Sequence, residues 1–117
     1  MTDEALGLAS AWRLAGTDGE GRDQVLTINR DELTSAYPGI TIGRHPELAD
    51  RVVDEPSLSR RHFRLSRSAE GVTLEDLSSL NGTLLDGVPL VPYAPVRLAD
   101  GQTITAGRLT LKVSRVA

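Results

Sequence analysis

The chain has 117 residues and no cysteine, which excludes disulfides and thiolate metal sites and suits a reducing compartment. Aromatic residues make up only 3% of it, too few to build the flat platform on which single-stranded bases stack. The core must therefore come from Leu, Val, Ile and Ala. No apolar run approaches the roughly 20 residues of a membrane helix. The opening Met-Thr-Asp-Glu-Ala-Leu is acidic and leads into no sustained apolar stretch, unlike a secretory leader. These absences predict a cytoplasmic protein without a membrane partner. Lysine is nearly missing too, since Lys112 stands alone among thirteen basic residues. The formal net charge of -3 argues against the broad basic face of a nucleic-acid binder, while leaving room for a small basic pocket.

What is present reads as a single domain over 1–117, with its core at about 10–116 and an N-terminal segment at 1–9. No segment keeps a 3.6-residue apolar period long enough for a stable helix, whereas short β-forming runs recur between turn residues. Strands are expected at Ser10–Ala15, Val25–Asn29, Ile40–Gly43, Arg51–Val53, His62–Ser66, Val72–Asp76, Thr83–Leu85, Val88–Leu90, Val96–Leu98, Gln102–Ala106 and Arg108–Val116. The connection Arg30–Gly39 has room for one helical turn. In Phe63-Arg64-Leu65 and Val72-Thr73-Leu74 the apolar residues share one face, as a half-buried strand requires. About eleven short strands at this spacing predict an all-β protein, a β-sandwich of two sheets.

Three loop clusters carry chemistry. Gly43-Arg44-His45 ends an apolar strand, Ser59-Arg60-Arg61-His62 precedes another, and Asp76-Leu77-Ser78-Ser79-Leu80-Asn81-Gly82-Thr83 joins two more. Each is weak alone, because Asn-Gly is a common hairpin turn and a strand-end Arg is usually solvated. In this order and spacing they closely resemble the forkhead-associated (FHA) domain, a phosphothreonine-binding β-sandwich with its binding loops at one end. The resemblance runs from the Trp12 region to the last strand. It implies that Arg44, Ser59 and Arg60 contact phosphate and that Asn81 holds the peptide backbone. It also implies that Gly43, His62, Gly82 and Thr83 support the site. Leu80 stands where several family members carry a hydroxyl that helps hold phosphate, so one donor is missing or is replaced by Ser79. Ser78 replaces a common Gly. Asp86 replaces the usual Asn, which either weakens a loop contact or brings negative charge near the site.

The residues suit that chemistry. A phosphorylated hydroxyl brings about -1.5 to -2 charges and three acceptor oxygens, so its receptor needs donors concentrated at one point. Two guanidinium forks and a short hydroxyl supply them, each charge-assisted bond contributing on the order of 1.5–3 kcal/mol before desolvation, and micromolar affinity follows. Arg60 and Arg61 are neighbours, and on an extended segment their side chains point opposite ways; Arg60 is the expected ligand because it follows Ser59. A hydrolase built on Ser59 and His62 lacks a nucleophile elbow and an oxyanion cradle. No metal-ligand spacing and no P-loop is present. The expectation is a monomeric adaptor, not an enzyme and without cofactor or metal. It reads phosphothreonine on a protein partner, a Ser/Thr kinase or its substrate, in bacterial signalling. An FHA-like scaffold that binds partners independently of phosphorylation is the alternative.

Overall fold

The computed structural model describes residues 10–69 and 71–116; the expected N-terminal segment lies outside them. The described chain forms eleven strands and one short helix. They are β1 (Ala11–Thr17), β2 (Asp23–Asn29), α1 (Arg30–Ser35), β3 (Ile40–Gly43), β4 (Arg51–Val52), β5 (Phe63–Ser68), β6 (Gly71–Asp76), β7 (Thr83–Leu85), β8 (Val88–Pro89), β9 (Val96–Leu98), β10 (Thr103–Ala106) and β11 (Leu109–Val116). One sheet runs β2-β1-β11-β10-β7-β8 and the other β4-β3-β5-β6-β9, so the expected two-sheet sandwich is borne out.

Alternation drives the packing. Phe63, Leu65, Leu74, Leu109, Leu111 and Val113 are fully buried between the sheets, each such side chain contributing about 1.5–3 kcal/mol of apolar transfer. The first hairpin is longer than expected because Thr17 and Asp23 still pair. Asp18 closes its turn, accepting the backbone N–H groups of Glu20 and Arg22 at 2.9 and 3.0 Å, the Gln24 amide and the Arg22 guanidinium. Burial alone raises this carboxyl, but the four donors outweigh it and hold the pKa down at about 2.

The helical turn has a capping box: Asn29 Oδ1 accepts from Glu32 N at 3.0 Å, and Glu32 reaches back to Asn29 N. Its sequence signal is Asn-x-x-Glu. No described helix is long and apolar enough to cross a membrane. His62, expected to open a strand, precedes β5; the chain bends at Arg60 and Arg61, and ladder pairing resumes only at Phe63.

Candidate functional site

The three motif loops meet at one end of the sandwich. Backbone bonds join the first two, with Arg44 N donating to Ser59 O at 3.2 Å and His62 N to Ile42 O at 2.9 Å. Gly43 permits this approach: an added Cβ would lie 2.7 Å from the Arg60 carbonyl carbon and nearer still to its oxygen. His62 joins the second loop to the third. Its Nδ1 accepts from Ser59 N at 3.0 Å and its Nε2 donates to Gly82 O at 2.8 Å, which defines a neutral tautomer. The ring is fully buried, and burial lowers its pKa below the ordinary histidine value, partly opposed by the Gly82 carbonyl and the Asp76 charge. It stays neutral and takes no proton from Ser59, whose amide rather than hydroxyl it meets.

Between the loops lies an open groove of about 640 Å³. Arg44 lines it and is exposed, with Nε anchored on Leu58 O at 2.7 Å and the terminal nitrogens without a partner among the described residues. Ser59 Oγ accepts from Leu80 N at 2.9 Å, so its own proton remains free to donate. Arg60 lines the groove, exposed and without a side-chain partner among the described residues. Asn81 directs its Nδ2 to Ser57 O at 2.8 Å, leaving one N–H and Oδ1 available.

The structure bears on the sequence expectations at four residues, Arg61, Ser79, Leu80 and Asp86. Arg61 lines the same groove as Arg60, because the bend at these residues breaks the strand alternation that separated them. Ser79, expected among the phosphate contacts, instead donates its hydroxyl to Asp76 Oδ1 at 2.6 Å; Thr83 donates to the same oxygen at 2.7 Å, so both brace the third loop from within. Leu80 holds no phosphate donor in its side chain, which is 90% exposed, but its amide orients Ser59. Asp86, exposed in the β7–β8 turn, accepts from Thr103 N at 2.8 Å and is not part of the groove lining. Gly82 turns at φ +80°.

Two elements escaped sequence reasoning. Tyr93 lines the groove from the β8–β9 loop, tied by its backbone N–H to Asp76 O at 2.9 Å. Glu55, only 2% exposed, accepts from Gly19 N at 2.6 Å, Ser57 N at 2.7 Å and the Ser57 hydroxyl at 2.5 Å. The Ser57 hydroxyl leads the causes that lower the Glu55 pKa, so the carboxylate stays ionised and fixes the residue on which Asn81 rests. The bonds to Ser57 are local to Asp-Glu-Pro-Ser, but Gly19 comes from a distant hairpin and leaves no signal there.

The family model of the FHA domain matches residues 40–107, more than half of the chain. The solved FHA domain of an Arabidopsis thaliana hypothetical protein superposes with a TM-score of 0.74 at 27% identity, over 95% of this chain and 91% of that one. An FHA domain from a structural and functional analysis of phosphothreonine-dependent interactions gives 0.66 at 27% identity, over 92% and 98%. The oxoglutarate dehydrogenase inhibitor of Corynebacterium diphtheriae is 40% identical over 74 residues, 63% of this chain and 49% of that protein. The chain spans a fifth or less of the plant and mammalian relatives that it matches. On the strength of that match and of the shared sandwich, the chain belongs to the FHA domain family of phosphopeptide-binding modules.

Proposed function

We propose that this domain reads phosphothreonine in a protein partner, as an adaptor in bacterial Ser/Thr kinase signalling, with Arg44, Ser59 and Arg60 holding the phosphate. The observation that carries this reading is a charge imbalance. Three arginines line the groove, no carboxylate does, and the chain as a whole is acidic. Guanidiniums crowded together without counter-charges repel one another, and a dianion with three acceptor oxygens relieves that repulsion. Asn81 holds the peptide backbone through its remaining N–H and Oδ1, so recognition there depends little on neighbouring side chains. The likeness to an FHA domain analysed for phosphothreonine-dependent interactions supports the choice of ligand, and the corynebacterial relative supports the setting.

Titration with matched phosphothreonine, phosphoserine and unmodified peptides tests the proposal. Micromolar binding of the phosphothreonine form is expected, with the methyl group contributing at least about four-fold over phosphoserine. Arg44→Ala and Ser59→Ala should each weaken binding by about ten-fold or more. Equal binding of phosphorylated and unmodified peptides would overturn the proposal in favour of a phosphate-independent scaffold.

A further inference from the structure

Beyond Asn81 the groove does not end. A second concavity of about 490 Å³ adjoins it, sharing Pro56, Ser57 and Asn81 with the first and continuing to Gly107 and Arg108 in the β10–β11 turn. This turn is built into the site rather than merely near it. Arg108 N donates to Ser57 Oγ at 2.8 Å, and that hydroxyl donates in turn to Glu55, so both of its roles are filled. Ser57 thus orients Arg108 on one side and receives Asn81 on the other. The Arg108 stem lies over Gly19, where an added Cβ would stand 3.1 and 3.3 Å from its Cβ and Cδ.

The guanidinium at the end of that stem is exposed and has no hydrogen bond or ion pair among the described residues. Glu55 acts on it only through space, with both carboxylate oxygens already accepting from Gly19 and Ser57. No carboxylate lines either concavity, so Arg44, Arg60, Arg61 and Arg108 form one continuous track of cations. One phosphate, at about -2, leaves such a track under-neutralised. An extended peptide advances about 3.3 Å per residue, so a ligand whose backbone is held at Asn81 brings a near neighbour of its phosphothreonine over Arg108.

We propose that Arg108 forms a second anionic subsite, selecting phosphopeptides that carry another negative side chain close to the phosphothreonine, either a carboxylate or a second phosphate. The inference rests on the phosphothreonine reading and adds a sequence preference to it. Arg108 is a specificity-determining residue for the ligand, held in place by Ser57 and Glu55.

The test is a fluorescence-anisotropy titration of phosphothreonine peptides flanked by alanine, with a single aspartate, and then a single phosphoserine, moved through the neighbouring positions. Wild-type protein should gain about three-fold in affinity for aspartate at one favoured position, and about ten-fold for phosphoserine there. In Arg108→Gln both gains should disappear. A gain confined to phosphoserine assigns the subsite to phosphate, and a gain with aspartate extends it to carboxylates. No gain at any position, or a gain that survives Arg108→Gln, overturns the inference while leaving the first subsite standing. If the alanine-flanked phosphopeptide binds no better than its unphosphorylated twin, the phosphothreonine reading itself has failed and this subsite falls with it.

Discussion

Along the strands and the first hairpin, arginines meet carboxylates. Arg64 Nη2 lies 2.9 Å from Glu75 across β5 and β6, Arg22 Nε lies 2.9 Å from Asp18, and Arg51 pairs with Glu32. At the loop end, Arg44, Arg60, Arg61 and Arg108 face concavities whose lining holds no carboxylate. The same side chain does two jobs. In the body it links neighbouring segments, for about 0–1 kcal/mol where the pair is exposed. At the loop end the guanidiniums pair with no carboxylate, Glu55 reaching Arg108 only through space, while the backbone beneath is tightly bonded; on the proposed reading that combination is preorganisation for an anion rather than a contribution to stability. Arg97 and Arg115 also share a small hollow, but Asp100 lines it with them, so that pair does not blur the contrast.

The contrast depends most on His62, which ties two of the unpaired arginines to the third loop. His62→Ala leaves Ser59 N and Gly82 O without partners and opens a cavity, so about 3 kcal/mol of stability should be lost in urea denaturation, with phosphopeptide affinity falling alongside. The histidine also makes a pH signature. Its pKa is lowered by folding, so the unfolded chain takes up the proton first. The contribution is complete above the ordinary histidine value near 6.5 and is lost as pH falls through and below it. Between about pH 7.5 and 5.5 the urea midpoint of the wild type should therefore drop further than that of His62→Gln. Asp18, held at about 2, does not enter this window, because its contribution is lost only as pH falls from about 4 toward 2. Parallel midpoints for the two proteins would detach His62 from the loop architecture.

A smaller effect separates the two kinds of arginine directly. Arg64→Ala strands Glu75, which is 8% exposed, and should lower stability by about 1–2 kcal/mol without changing phosphopeptide affinity. Arg61→Ala should do the reverse, weakening the phosphopeptide by about five-fold and shifting stability by less than about 0.5 kcal/mol. Denaturation and binding curves on both variants decide the matter. An Arg61→Ala protein that binds like the wild type would reduce the cationic field to Arg44 and Arg60.

That Arg61 belongs to the groove at all was not legible in the sequence, and the reason is local. Alternation is a property of strands, and the chain bends at Arg60 and Arg61 before β5 begins. Where strands do run, alternation read correctly, as Phe63 and Leu65 or Val72 and Leu74 show by their burial. The meeting of the three motif loops was legible through their resemblance to a known pattern, not through periodicity. Ser79 misled because a serine beside a missing hydroxyl suggests substitution, whereas a buried Asp76 nearby is the stronger acceptor and claims it. Glu55 and Ser57 were invisible for another reason: their partners, Gly19 and Arg108, are 36 and 51 residues away along the chain. Contacts of that separation are created by the fold and leave no spacing to read.

The smallest effect concerns the backbone. Three described residues other than glycine have positive φ, and two of them, Ser78 at 59° and Tyr93 at 60°, line the groove; the third, Asp86, sits in a hairpin turn. A left-handed conformation costs an L-residue about 1–2 kcal/mol, so the loop end carries local strain as well as charge paired with no carboxylate. Ser78→Gly removes the steric part of that cost but adds back most of it as unfolded-state entropy, about 0.5–1 kcal/mol. The net expectation is a gain of a few tenths of a kcal/mol, a rise of about 1–3 °C in Tm by calorimetry. Affinity should move the other way, by no more than about two-fold, because a glycine holds the groove wall less firmly than a residue confined to one backbone well. A Ser78→Gly protein less stable than the wild type would mean that the serine is held by interactions stronger than its strain, and the loop end would then resemble the body of the sandwich more than the comparison of their arginines implies.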